Sequence, residues 1–149
     1  MAKRLFNFGL DKKDLPESEF VKLLNPHVFG DLVKFSGHPG AYKVFSFKNG
    51  VYKPIRRAYA IDRQGLLYVG GAKDIYKRLY ECLWMSIYNS PHRHPVGQHY
   101  RRFSQAKKLF PPDSLYVCII PDERYLKRER EIKDEYELIY GEYPFMNKN

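Results

Sequence analysis

The stretch that most limits what this chain can fold into is Tyr59 to Leu79, YAIDRQGLLYVGGAKDIYKRL, with a glycine pair near its middle. Leu66 to Gly70 is an apolar, β-favouring run, and Asp62-Arg63-Gln64-Gly65 ahead of it carries turn chemistry. With Arg56 to Asp62 on the other side of the turn, the pattern predicts a β-hairpin. If Arg63 and Gln64 form a two-residue loop, Tyr59 stands opposite Tyr68 on one face, about 5 Å apart at Cβ. A three-residue loop ending in Gly65 shifts that pair by about one position. After the glycines, Asp74 predicts a helix N-cap, and Ile75, Leu79, Cys82 and Leu83 recur at helical spacing. Arg78 then falls on the shoulder of an apolar stripe, where an unpaired guanidinium needs an anion or a route to water. Two tyrosines and an arginine beside a glycine pair suit a phosphate-binding corner. The plainer reading, strand tyrosines with a snorkelling arginine, is the one these residues favour by themselves.

Tyr68-Val69-Gly70-Gly71, with Arg78 ten residues after Tyr68, resembles the second half of the GIY-YIG nuclease signature. The first half, a Gly-Ile-Tyr about ten residues upstream in the family, falls best on Tyr59, nine residues before Tyr68, where this chain has Arg57-Ala58-Tyr59. Gly50-Val51-Tyr52 and Gly40-Ala41-Tyr42 are literal matches at 16 and 26 residues before Tyr68. Either is the first motif if an extra strand is inserted between the two halves.

A second part of the signature lies in the helix expected from Pro121 and Asp122 to about Tyr140, with Gly141 as its stop. Glu135 falls within an apolar stripe of Ile132, Leu138 and Ile139, where a carboxylate needs a partner or a cation. Arg128 is its ion-pair partner in the plainer reading, and Glu131 is the rival acid on a similar azimuth. The family's metal-binding glutamate is followed by Leu-Ile at +3 and +4 and often by Pro at +9 and Asn at +12. From Glu135 those offsets give Leu138, Ile139, Pro144 and Asn147.

The resemblance implies an α+β fold, a small antiparallel sheet of three or more strands flanked by helices. It implies a nuclease domain over 41–149 behind an N-terminal elaboration, 1–40. The implied chemistry is phosphodiester hydrolysis with one divalent cation, Mg²⁺ or Mn²⁺, held by Glu135. Arg78 clamps the scissile phosphate, Tyr59 positions or deprotonates the attacking water, Tyr68 orients the phosphate and Asn147 braces the site. A histidine ahead of the second helix lies beside the centre in some members, and His94 takes that role here, with His92 and His99 close by. Double-stranded DNA is the implied partner, and a homodimer on DNA is compatible with it. The alternative is a non-catalytic nucleic-acid-binding module of the same fold, and restriction, homing or phage, and repair settings all stay open.

Charge points the same way. Among 149 residues, 26 Lys and Arg against 17 Asp and Glu give a net charge of +9, which favours a polyanionic partner. Val96 to Leu109 reads as a helix interleaving Arg101, Arg102, Lys107 and Lys108 with Tyr100 and Phe103. Arg57, Lys73, Lys77 and Arg93, near the motif residues, complete the expected contacts to nucleic acid. The cysteines, Cys82 and Cys118, read as small core residues, and His92 with His94 is too thin a ligand set for zinc. No apolar run approaches a membrane span, and the expectation is an intracellular, cytoplasmic protein.

The remaining expected elements are a short helix from Glu17 to Leu24 and a strand from Ala41 to Phe47. An Asn49-Gly50 turn leads from that strand into Val51-Tyr52, a helix runs from Asp74 to about Tyr88, and Ser114 to Ile120 forms a central strand.

Overall fold

The structure, a computed structural model, describes residues 20–22, 33–88 and 93–147. Its strands are β1 (Phe20–Lys22), β2 (Gly40–Lys48), β3 (Val51–Tyr52), β4 (Ile55–Arg56), β5 (Ile61–Asp62), β6 (Leu66–Ala72) and β7 (Leu115–Pro121). Helix α1 covers 75–88 as Ile75–Lys77, a π-helical stretch Arg78–Trp84, and Met85–Tyr88. Helices α2 (Pro95–Arg102), α3 (Ala106–Leu109) and α4 (Tyr125–Tyr140) follow. The main sheet is antiparallel throughout in the order β1-β7-β2, with β6 on the far edge of β2 and β3 extending that edge. The fold is therefore α+β, as the sequence predicts.

β2 and β7 are central because both faces of each carry side chains that water disfavours. Tyr42, Val44, Val117 and Ile119 point to one layer, where Ile75, Leu79 and Leu83 of α1 and Val96 and Tyr100 of α2 cover them. Ala41, Phe45, Cys118 and Ile120 point to the other, under Ile132, Tyr136 and Tyr140 of α4. Cys118 is buried as a small core residue, while Cys82 is only half-buried. A register shift between Val44 and Phe45 makes a bulge in β6. It lets Leu67 and Tyr68, neighbours in sequence, both face the α1 layer.

The central hairpin differs from the expected one. Tyr68 lies opposite Val44, and Tyr42 opposite Gly70, so β6 pairs with β2 and not with the segment holding Tyr59. Ile61–Asp62 pairs only with Ile55–Arg56 in a two-stranded excursion inserted between β2 and β6. Asp62 closes that excursion. Its carboxylate accepts from the backbone N–H groups of Gln64, Gly65 and Leu66, at 2.9–3.1 Å, and from the Tyr136 hydroxyl at 2.6 Å. With the side chain fixing the turn, the strand before it is free to leave the main sheet.

Two further expectations need revision. Phe20–Lys22, placed in a helix from Glu17 to Leu24, is a strand on β7, so part of the N-terminal elaboration is built into the sheet. The rest of that expected helix lies outside the described residues. The helix expected from Val96 to Leu109 breaks after Arg102, because Phe103 is extended at φ −119° and ψ 108°. The Asp74 N-cap holds, accepting from Lys77 N–H, and Gly141 stops α4 in a left-handed conformation at φ 81°.

The chain's end covers the open edge of β6. Asn147 Oδ1 accepts from Val69 N–H and its Nδ2 donates to Val69 C=O, both at 2.9 Å, while Met146 N–H donates to Leu67 C=O. One amide thus serves both hydrogen-bonding groups of a strand residue that, among the described residues, has no partner strand on that side. Asn147→Ala should cost about 1–3 kcal/mol, read as a lower urea midpoint at unchanged slope. An unchanged midpoint would mean that water replaces the clamp without loss.

Candidate active site

The glycine pair makes the site possible. At Gly70 an added Cβ would lie 2.5 Å from the end of the Tyr42 ring and 2.8 Å from the Tyr68 ring. At Gly71 it would lie 2.9 Å from Glu129 Oε1 on α4. Two consecutive residues without side chains therefore open the end of β6 from both faces. The tyrosines approach from the α1 layer and the carboxylate from the α4 layer.

Tyr42 is buried, and its hydroxyl lies 2.7 Å from His94 Nε2. The ring of Tyr68 packs on His94 at 4.9 Å between centroids and on Tyr42 at 6.1 Å. His94 is the N-cap of α2, where its Nδ1 accepts from Val96 N–H at 3.2 Å. That bond settles the tautomer: a neutral imidazole accepting at Nδ1 carries its proton on Nε2 and donates it to Tyr42 Oη. Burial, with Arg78 adding to it, pushes the His94 imidazole down to about 3, so it is neutral at pH 7. His94 is thus a fixed donor and not a base.

Burial and the neighbouring Tyr68 raise the Tyr42 phenol well above its ordinary value, while the Arg78 charge pulls it down. Tyr68 is pushed up to about 12 by burial and Glu129, against Arg78 and the Tyr42 hydroxyl. The Arg78 guanidinium is exposed, yet its field reaches Tyr42, Tyr68 and His94. With Lys73, Lys77 and Cys82 it lines an open depression beside the end of β6. Lys133 Nζ lies 2.9 Å from Glu129 Oε2, one turn further along α4.

Of the six residues expected at the centre, the structure groups Tyr68, Arg78 and His94, and Asn147 braces β6 beside them. Tyr59 and Glu135 are elsewhere. Tyr59 is 76 % exposed, its N–H donates to Tyr140 C=O, and its ring lies over Gly141 at the far end of α4. Glu135 lies on the α4 side of the sheet, lining a small cavity with Lys43, Asp62 and Tyr136. Arg128, its expected partner, lies 3.5 Å from Glu131 instead.

Tyr42 and Glu129 lie beside Tyr68 at the end of β6. Tyr42 belongs to the literal Gly40-Ala41-Tyr42 match, and the inserted excursion accounts for its distance of 26 residues from Tyr68. Glu129 has a helical signal too. At about 100° per residue it lies within 20° of both Tyr136 and Tyr140, in the middle of the buried stripe. Leu138 and Ile139, which drew attention to Glu135, are 83 % and 46 % exposed.

The expected nucleic-acid contacts divide as well. Lys73, Lys77, Arg93, Arg102, Lys107 and Lys108 are exposed. Arg57 is engaged internally, donating to Tyr143 C=O at 2.7 Å and lying 3.3 Å from Glu142. Arg101 donates to Ser86 C=O at 2.7 Å, and Tyr100 is buried with its hydroxyl on Phe110 C=O. His92 lies outside the described residues. His99 packs against Phe103 and Phe145, away from Tyr42. Among the described residues no helix is long and apolar enough to cross a membrane, and no cluster of three His, Cys, Asp or Glu side chains could hold a metal ion. No family model, curated protein or solved structure matches this chain.

Proposed function

We propose that the chain is a metal-dependent endonuclease that hydrolyses phosphodiester bonds in DNA, with Tyr42, Tyr68, Arg78, His94 and Glu129 as its site. The observation that carries this reading is the buried 2.7 Å contact between Tyr42 Oη and a neutral His94, within reach of an exposed arginine's field and beside a carboxylate admitted by Gly71. A net charge of +9 supplies the long-range attraction such a substrate requires.

Each side chain has a chemical task that follows from its setting. Arg78 presents a planar set of donors to non-bridging phosphate oxygens and offsets charge as it develops. Tyr68 keeps its proton at neutral pH and so orients the phosphate as a hydrogen-bond donor. Tyr42 holds the attacking water and takes its proton in the phenolate form. His94 Nε2–H stays on the phenolic oxygen in either state, and Arg78 favours the ionised one; burial opposes both.

Glu129 suits Mg²⁺ or Mn²⁺ because such ions commonly take one or two carboxylates and complete their shell with water and substrate phosphate. Bound there, the cation would polarise a non-bridging oxygen, stabilise the leaving 3′ oxygen and lower the pKa of nearby hydroxyl groups. Glu129 then replaces the Glu135 of the sequence-based expectation as the metal ligand.

The test is supercoiled plasmid incubated with Mg²⁺ or with EDTA, beside Arg78→Ala. Nicked or linear product is expected only with the metal, falling about 10²–10³-fold in the variant while DNA binding changes little. Shifted but uncut DNA under every metal condition would replace this reading with a binding module.

A further inference from the structure

Helix α2 leads from the phosphate-facing group to an aromatic feature that the chemistry above leaves unused. Its first residues carry His94, on Tyr42, and its end carries Phe103. Because Phe103 is extended and not helical, its ring leaves the helix surface and stands 46 % exposed. The ring is backed by His99, 4.7 Å between centroids, and His99 by Phe145 at 5.0 Å. The Arg102 guanidinium lies 5.3 Å from the Phe103 centroid. These side chains line a groove that runs past Gln98 to Asn147, whose amide clamps the strand of Tyr68.

We propose that Phe103 is a stacking platform for an unpaired nucleobase lying a few nucleotides from the cleaved phosphate. The preferred substrate would then be DNA that carries an unpaired base or a duplex-to-single-strand junction, in place of uninterrupted duplex. The assignment rests on the nuclease reading for the position of the phosphate. Three observations support it.

The first is spacing. The eight residues of α2 span about 12 Å, equal to roughly three or four stacked base steps of about 3.4 Å. The second is the chemistry of the walls. Among the described residues no carboxylate lines the groove, Arg101 and Arg102 do, and the Gln98 amide offers both a donor and an acceptor to a base edge. Such a cationic rim fits a polyanion better than an apolar peptide. The third is the state of His99. Burial, with Arg102 adding to it, lowers its pKa, so the support beneath Phe103 is an uncharged ring at neutral pH.

The base must be unpaired for a geometric reason. In a continuous duplex both faces of every base are covered by its neighbours, whereas a splayed base has a free π-face to set on Phe103. Arg102 is long and exposed, so it can leave the ring and keep its charge for the flanking phosphate.

The test measures binding in EDTA, which separates it from cleavage. A matched DNA duplex is compared with the same duplex carrying one unpaired 2-aminopurine, by anisotropy and by quenching of the base analogue. Wild type is expected to bind the interrupted duplex about tenfold more tightly and to quench its fluorescence. Phe103→Ala should lose both effects while its affinity for matched duplex stays within twofold, and Phe103→Trp should keep them. Equal binding of the two duplexes by wild type, or a preference that survives Phe103→Ala, overturns the proposal. Neither result bears on the plasmid assay, so loss of the stacking site and loss of the nuclease reading are distinguishable.

Discussion

Tyr42→Phe is expected to lower metal-dependent plasmid nicking by about 10²–10⁴-fold, the range spanned by removal of a positioned acid or base. The ring that packs on Tyr68 is kept, so the fold should survive. What is lost is one oxygen, together with the acceptor for His94 Nε2–H. A buried donor left without an acceptor costs about 1–3 kcal/mol, so a modest fall in melting temperature should accompany the loss of rate. Glu129→Gln should be at least as damaging to cleavage, because a neutral amide is a poor ligand for a hard divalent cation.

The same assay includes its own control. Tyr59→Phe and Glu135→Gln should cut at close to the wild-type rate, since both residues lie away from the Tyr42–His94 contact. If those two variants are dead and Tyr42→Phe is active, the chemistry runs through Tyr59 and Glu135 and the assignment above is lost. Initial rates at saturating Mg²⁺, with binding measured separately in EDTA, keep substrate affinity apart from chemistry.

How far the sequence led can be traced through individual residues. Local signals were read correctly where the physics is local. Asp74 caps its helix, Asn49-Gly50 turns β2 into β3, Gly141 ends α4, and the apolar run around Val117 sits between two strands. Tyr68 and Arg78 come together because a strand, its glycine pair and a capped helix follow one another closely, and His94 joins them as the N-cap of α2.

Pairing between distant segments was harder to read. The choice of Tyr59 depended on a tight hairpin, and nothing local reveals that Asp62 closes a separate excursion by accepting four hydrogen bonds. Residues brought together across 26 positions meet through sheet order, which is a property of the whole core. Which acid of α4 stands among core residues depends on which side chains form its buried stripe. Leu138 and Ile139 have the apolar side chains of a core face but are exposed, while Tyr136 and Tyr140 are buried. A tyrosine whose hydroxyl reaches a partner is a core residue for this purpose, as Tyr136 on Asp62 demonstrates.

Glu135 lines the same small cavity as Lys43. Lys43 follows Tyr42 on β2, so its side chain enters the opposite layer, where it is 3 % exposed among Phe45, Leu66 and Ile132. Burial lowers its pKa from 10.5 to about 7, while Cys118, Glu135 and Asp62 act to raise it. The sign of the consequence is definite. From about pH 7 to about 10.5 the unfolded chain holds a proton that the folded chain lacks, so stability climbs with pH across that window. Below pH 7 both states are protonated, and the full penalty of a buried ammonium stands.

Lys43→Met fills similar space without the charge, and it should stabilise the protein by about 3 kcal/mol at pH 6. For a chain of this size that corresponds to a melting temperature higher by roughly 6–12 °C. The advantage should shrink steadily as pH rises and nearly vanish by about pH 10.5, which thermal melts from pH 6 to 10.5 would reveal. Glu135→Gln should act in the opposite direction at pH 6, since it removes a charge that holds the ammonium in place. A Lys43→Met difference that stays flat with pH would show that the amine remains charged and solvated in the folded state.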